Sequence, residues 1–282
     1  MNTQRWMAQH FFIFFMTWGV FLPYWTGWMI DEKGISVSEA SFIMSAGLVA
    51  RGLATLFIFP YLLRIWSSRR LINVISITTF VAMLLYIPSQ SFSSLLIVTL
   101  IVHIFYPTLM PALDSAAGML LQHRQLQHYG KSRSWGSIGF VFMGMVITVF
   151  TGAFGDAVIL WIMLLGLFIF MLLGLKQTPE VLSLKPEVSK DGSFKMRDLF
   201  KAKHFSLVLV IVILLQAAHA SYYNYGYIYL QDINAPKYLI GVILNVAVIS
   251  EIIFFAKADT VFHKFSVGSL LALAALGSTI RW

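Results

Sequence analysis

The chain has no cysteine among its 282 residues. That excludes a disulfide framework, a thiolate metal site and a cysteine nucleophile. It is also poor in charge. Only 11% of the residues are Asp, Glu, Lys or Arg, where soluble domains carry roughly 25%. No spacing of His, Asp or Glu suits a zinc site, and there is neither a phosphate-binding glycine loop nor an ATPase motif. What fills the space is apolar: 59% of the residues are hydrophobic and the mean hydropathy is +0.79. A water-soluble enzyme of ordinary composition is excluded, and the chain reads as an all-α polytopic membrane protein.

A spanning helix needs ~20 mostly apolar residues. Nine stretches meet or approach that: Trp6–Ile30, Ala40–Leu63, Leu71–Ile87, Leu95–Leu121, Ser132–Thr151, Ala157–Leu175, Phe205–Leu230, Tyr238–Ala256 and Ser266–Trp282. Alternating strands of ~10 residues, which a barrel would need, are absent. The first run is 25 residues long, longer than the ~7–15 of a signal-peptide core, and no small-residue cleavage site precedes Asp31. It reads as a retained first helix.

A net charge of +8 and a pI near 9.7 do not point to nucleic acid, because the basic residues sit in short gaps between apolar runs. Basic loops facing an anionic cytoplasmic leaflet are the commoner cause. With the N-terminus inside, the inner segments hold sixteen Lys and Arg and the outer loops only Lys33 and Lys237. Arg51 and Arg281 remain within apolar runs. The one long polar stretch, residues 176–204, reads as a cytoplasmic linker with an interfacial helix near Phe194–Phe200. It divides a six-helix half, residues 1–175, from an incomplete one, residues 205–282.

An internal repeat supports two parallel halves. A shift of 201 residues lays Tyr24-Trp25-Thr26-Gly27-Trp28 on Tyr225-Gly226-Tyr227-Ile228-Tyr229, Asp31 on Asp232, and Arg51 beside Glu251. The same shift puts residue 282 on Val81, inside the third run. The expectation is a C-terminally truncated second half, about nine helices of about twelve.

Five ionisable residues fall at bilayer depth: Arg51, Asp114, Arg133, Glu251 and Arg281. Each costs ~2.5–3.5 kcal/mol on insertion scales, so each demands a reason. Asp114 and Arg133, near the same end of the fourth and fifth runs, are expected to meet. They either bind substrate or a proton in a cavity or hold two helices together. Glu251 has no basic residue of its own run within a turn, which suits a carboxylate that loads and unloads a proton; permanent pairing with Arg281 or Arg51 is the alternative. Arg51, between Gly47 and Gly52, reads as structural. Pro107 and Pro111 bend the fourth run. Tyr24 and Trp25, with Tyr222 and Tyr223, stand toward the outer ends of their runs. They are either an interfacial belt or the wall of a cavity for a planar solute. His10, His103 and His219 read as packed, hydrogen-bonded histidines.

Tyr129-Gly130-Lys131-Ser132-Arg133-Ser134-Trp135-Gly136-Ser137-Ile138-Gly139-Phe140 resembles the start of the fifth helix in the major facilitator superfamily. So, for their helices, do Phe21-Leu22-Pro23-Tyr24-Trp25, Ala46-Gly47-Leu48-Val49-Ala50-Arg51, Leu214-Leu215-Gln216-Ala217-Ala218-His219-Ala220-Ser221-Tyr222-Tyr223 and Ile280-Arg281-Trp282. The likeness is closest to the proton-symporter branch that carries oligosaccharides and phenylpropionate-like aromatic acids. It implies that Asp114 and Arg133 bind substrate and that Glu251 with Arg281 links substrate to proton. In the seventh run tyrosines and Gly226 stand where sugar permeases of the branch have acidic residues. The superfamily's signature after the second helix is reduced to Pro60-Tyr61-Leu62-Leu63-Arg64-Ile65-Trp66-Ser67. The expected substrate is therefore an aromatic carboxylate such as 3-phenylpropionic acid. Arg133 or Arg281 would hold its carboxylate bidentately. Tyr24, Trp25, Phe140, Tyr222 and Tyr223 would face its ring. No cofactor is expected, the proton gradient being the energy source. A nucleoside or oligosaccharide symporter of the same fold, or a truncated protein that does not transport, are the alternatives.

Overall fold

A computed structural model describes residues 2–176, 178–184, 201, 204–256 and 265–281. The expected interfacial helix near Phe194–Phe200 lies outside the described residues, as does Trp282.

The described residues form eleven α-helices and no strand: α1 (Thr3–Lys33), α2 (Val37–Leu53), α3 (Phe59–Ile65), α4 (Ser68–Leu84), α5 (Phe92–Phe105), α6 (Leu109–Gln122), α7 (Tyr129–Phe154), α8 (Val158–Leu175), α9 (Phe205–Asp232), α10 (Lys237–Ala256) and α11 (Val267–Arg281). Two pairs run on as single rods, so the described helices coincide with the nine apolar runs. Five rods are long and apolar enough to cross a membrane by length and composition: Val37–Ile65, Phe92–Gln122, Tyr129–Phe154, Val158–Leu175 and Phe205–Asp232.

The joints within the two paired rods have proline at their root. Pro60 lacks the N–H that would bond to Leu56, and the turn before it widens into a π-helical segment, Ala54–Ile58, in which the Phe59 N–H reaches back to the Ala54 carbonyl. Pro107 sits in a tight 3-10 turn, Tyr106–Thr108, that parts α5 from α6. The expected bend in the fourth run is therefore a change of helix type.

Helix α1 is central, packed by α7, α8 and α9. In a bilayer, helices gain little from hiding apolar surface and must associate by close packing, which favours small residues at crossings. The α1–α7 crossing follows that rule. A Cβ added at Gly19 would lie 2.6 Å from the Phe140 carbonyl oxygen, and one at Gly139 would strike the Phe12 carbonyl. Packed by neighbours along most of its length, α1 also holds His10, Thr17 and Thr26, all buried. The second seam joins residues 2–176 to residues 204–281, called the first and second halves only for their order in the chain, where α7 crosses α10. There a Cβ on Gly241 would lie 2.8 Å from both the Gly144 carbonyl oxygen and Thr148 Oγ1.

Candidate functional site: a charged triad and a polar seam

The loop 123–128 carries the chain from the end of α6 to the start of α7 at the end of the bundle that also carries the N-terminus. Asp114 on α6 and Arg133 on α7 are brought to one place, but they form no ion pair. Tyr129 stands between them. Its hydroxyl donates to Asp114 Oδ1 at 2.8 Å, and the Arg133 guanidinium faces the same hydroxyl. Arg133 lies over the ring of Phe15, 4.1 Å from its centroid, with Phe11 at 5.7 Å. The edge of the Tyr129 ring meets Phe11 at 6.1 Å between centroids. A guanidinium over an aromatic face gains up to about 2 kcal/mol when desolvated, so the ring faces position Arg133 while leaving its N–H fork for an anion. Tyr129 was missed in the sequence reading. Its signal is that it opens the helix that carries Arg133, four residues before it, one turn along the same face.

The other candidate residues are elsewhere. Trp25 faces no cavity here: it is fully buried, stacked on Trp28 at 4.5 Å and edge-on to Tyr86 at 4.9 Å. Tyr24 is buried between the halves rather than in a belt. Its hydroxyl donates to the Gly144 carbonyl at 3.0 Å, and its ring meets Tyr227 at 4.7 Å. Phe140 is buried at the α1–α7 crossing. Tyr222 donates to the Ile243 and Leu244 carbonyls at 3.1 and 3.2 Å, within the second half. Arg51 lies over the Trp18 ring at 5.2 Å, and the ring of His103 fills the space a side chain at Gly47 would take. Glu251 is on α10 and Arg281 is the last residue of α11, but their side chains, like that of Tyr223, lie outside the described residues. His10, His103 and His219 each place Nδ1 on the carbonyl four residues back, at 2.8, 2.9 and 2.8 Å. A carbonyl only accepts, so Nδ1 carries the proton. Among the described residues no three His, Asp or Glu converge as metal ligands.

A second cluster, missed in the sequence, closes the opposite end. Asp156, in the turn between α7 and α8, is 7% exposed. From α9, Tyr227 donates to both of its oxygens at 3.1 Å and Gln231 to one at 3.2 Å. From α10, Lys237 pairs with it at 3.6 Å. Asp31, at the end of α1, shares a hydrogen bond with the same carboxyl. A further link runs from Tyr225 to Ser41 Oγ at 2.6 Å. The two halves are thus tied by polar contacts at this end, while the Asp114–Tyr129–Arg133 group belongs to the first half alone.

Apolar rods packed into a helical bundle define a multi-pass membrane protein. Residues 4–282 match the model described as the MFS_1 like family, and the chain belongs to that family of major facilitator transporters. It is 29% identical over 294 residues to the "Probable 3-phenylpropionic acid transporter" of Escherichia coli (strain K12), covering 100% of this chain and 74% of that protein. It is 23% identical to the "Maltose permease" of Geobacillus stearothermophilus, covering 96% of this chain and 68% of the relative. The fold also matches the crystal structure of nucleoside transporter NupG, with a TM-score of 0.76 at 16% identity, over 94% of this chain and 69% of that one.

Proposed function

We propose that the protein is a proton-coupled permease for uptake of 3-phenylpropionic acid or a related aromatic carboxylate. It lies in a bacterial-type inner membrane with its N-terminus in the cytoplasm. The observation that carries the reading is Arg133, its guanidinium held against Phe15 at 4.1 Å with no carboxylate of the chain paired to it among the described residues. A carboxylate ligand would take its N–H fork, and an aromatic ring would lie among Phe11, Phe15 and Tyr129. The relative that shares 29% of residues bears a matching name. Glu251 carries the coupling proton in this reading, and Arg281 draws it off.

Reconstituted protein under an imposed pH gradient tests the reading. Labelled 3-phenylpropionate is expected to accumulate, with no competition from maltose or nucleosides. Arg133→Gln is expected to abolish binding. Glu251→Gln, which mimics the protonated carboxyl, is expected to keep binding and exchange but lose gradient-driven accumulation. Accumulation of a sugar or nucleoside in place of the acid would overturn the substrate, and wild-type accumulation by Glu251→Gln would remove that residue from coupling. An alkaline phosphatase reporter fused after Glu187 is expected to be inactive, as the sixteen-to-two division of basic residues requires.

A further inference from the structure

At the end of the bundle that carries the N-terminus, a cavity of about 650 Å³ opens between α1, α7 and α8. A second, of about 410 Å³, adjoins it through Asn2, Arg5, Gln9 and Leu173 and reaches Lys176. Together they form one groove with a graded lining. Its mouth holds Arg5, Lys131 and Lys176, all exposed. Its length is apolar: Phe12 and Ile13 of α1, Trp135 of α7, Ile169 and Leu173 of α8. Among the described residues no Asp or Glu lines either cavity, and none of the three cations forms an ion pair.

The gradient follows from helix geometry. Arg5 and Gln9, Lys131 and Trp135, and Ile169 and Leu173 are each four apart, so each pair lies along one face. The walls are pinned at the mouth: Gln4 of α1 donates to the His128 carbonyl at 2.8 Å and to Ser132 Oγ at 2.6 Å, and accepts from the His128 N–H at 3.2 Å. That fixes the first turn of α7, and Lys131 with it, beside α1.

The groove is not a route between the halves, since no described residue of α9, α10 or α11 lines it. Its apolar wall opens outward, with Trp135 50% and Ile169 38% exposed. In a membrane-spanning chain such surface meets lipid. An apolar channel along the bilayer normal, capped at the headgroup level by three cations that are unpaired among the described residues, matches a molecule with an acyl chain and an anionic head. A zwitterionic lipid would bring its own cation to the same mouth.

We propose that this groove is a binding site for an anionic phospholipid, with its phosphate at Arg5, Lys131 and Lys176 and an acyl chain along Trp135, Phe12 and Ile169. The site is independent of the transported solute. It locks α7 and α8 to α1 on the side away from the second half.

The test uses purified protein in nanodiscs doped with phosphatidylglycerol or phosphatidylcholine, each with brominated acyl chains that quench tryptophan on contact. The difference between wild type and Trp135→Phe isolates the emission of Trp135. Brominated phosphatidylglycerol is expected to quench that component at a several-fold lower mole fraction than brominated phosphatidylcholine. Combined Arg5→Gln, Lys131→Gln and Lys176→Gln is expected to erase the preference while helicity by circular dichroism stays unchanged. Soluble glycerol phosphate at millimolar concentration is expected not to relieve the quenching. Equal quenching by the two lipids in the wild type overturns the proposal without recourse to any charge variant. So does a preference that survives the triple change, and relief by glycerol phosphate would make the site one for a soluble anion. No arm measures transport, so the result stands apart from the proposed substrate.

Discussion

Tyr227 donates its one hydroxyl proton toward both oxygens of the Asp156 carboxylate, 3.1 Å from each. The two residues come from different halves of the chain, and the carboxylate is nearly enclosed. A hydrogen bond to a charged group contributes about 1.5–3 kcal/mol, more than most neutral ones. This contact is a principal fastening of the closed end.

Tyr227→Phe keeps the ring against Tyr24 and removes only the donor. The closed arrangement is expected to lose about 1.4 kcal/mol, a tenfold shift toward an open one. The absence of native cysteine makes the measurement simple. Thr148→Cys places the sole thiol on the α7–α10 seam, where Thr148 is 3% exposed. Its alkylation should run about tenfold faster in the Tyr227→Phe background; an unchanged rate would show that the hydroxyl does not hold the seam.

Gly241→Val tests the same seam by volume. The added carbons would meet a backbone carbonyl, that of Gly144, and the Thr148 side chain, both 2.8 Å from the first of them. Overpacking of this kind costs about 1–3 kcal/mol. The cost falls on the contact between halves, so thiol labelling at position 148 should accelerate. The α1–α7 contact, set by Gly19 and Gly139, should stay closed, as a thiol placed at Ser132, buried beside Gln4 of α1, would report.

The closed end should also respond to pH. Partial burial, then the hydrogen bond and charge of Asp156, push the Asp31 carboxyl up from 3.8 to about 6, against the opposing pull of Gln231. Glu32 adds to the rise, and Lys237 and Tyr227 face the same carboxyl pair through Asp156. A carboxyl whose value is raised in the closed arrangement holds its proton there longer than in the open one. The proton-linked preference for the closed arrangement is full below about pH 4, is lost between about pH 4 and 6, and is gone above about 6. Divided by the rate of a fully exposed thiol at the same pH, which removes the titration of the thiol itself, labelling of Thr148→Cys should therefore be slower at pH 5 than at pH 7.5, and Asp31→Asn should flatten that ratio. A profile unaltered by Asp31→Asn would place the titrating group elsewhere.

Asp114 and Arg133 should couple through Tyr129 rather than directly. Groups in one hydrogen-bonded network show interaction energies of about 0.5–3 kcal/mol in double-mutant cycles. Thermal unfolding of Asp114→Asn, Arg133→Gln and the double variant should be non-additive in the native background and additive once Tyr129 is Phe. Coupling that persists in Tyr129→Phe would mean that the two charges meet without it.

The helices were legible because a bilayer demands long uninterrupted apolar runs: Ser132–Thr151 lies within α7 and Ala157–Leu175 matches α8 nearly residue for residue. The meeting of Asp114 with Arg133 was legible in part, from their positions on consecutive runs joined by a short loop. Tyr129 was not, because its hydroxyl finds Asp114 only through the turn at 123–128. Aromatic residues misled for a physical reason. Trp25 and Trp28 near a helix end look alike whether the neighbours are lipid headgroups or other helices, and periodicity is weak in α1 because residues on several of its faces are buried. Asp156 looked like a loop residue after Gly155. Its burial depends on Tyr227, Gln231 and Lys237, some seventy to eighty positions away. The repeat aligned Asp31 with Asp232, whereas in space it is Asp156 that meets it by a hydrogen bond.

The widened turn at Ala54–Ile58 has a consequence for the rod that contains it. One turn there spends an extra residue, as an insertion would, so each residue from Phe59 on is displaced by about 100° around the axis relative to a continuous α-helix. Arg51 and Tyr61 are consequently set in different phases of one rod. The stretch from Pro60 to Ser67 presents a face that the helical spacing of Val37–Leu53 would not foretell. Removing a single residue from Ala54–Ile58 would bring the two segments back into step. That would rotate Arg64 at the rod's tip about its axis while Arg51 kept its place over Trp18: a joint whose setting is stored in residue count, with no hinge required.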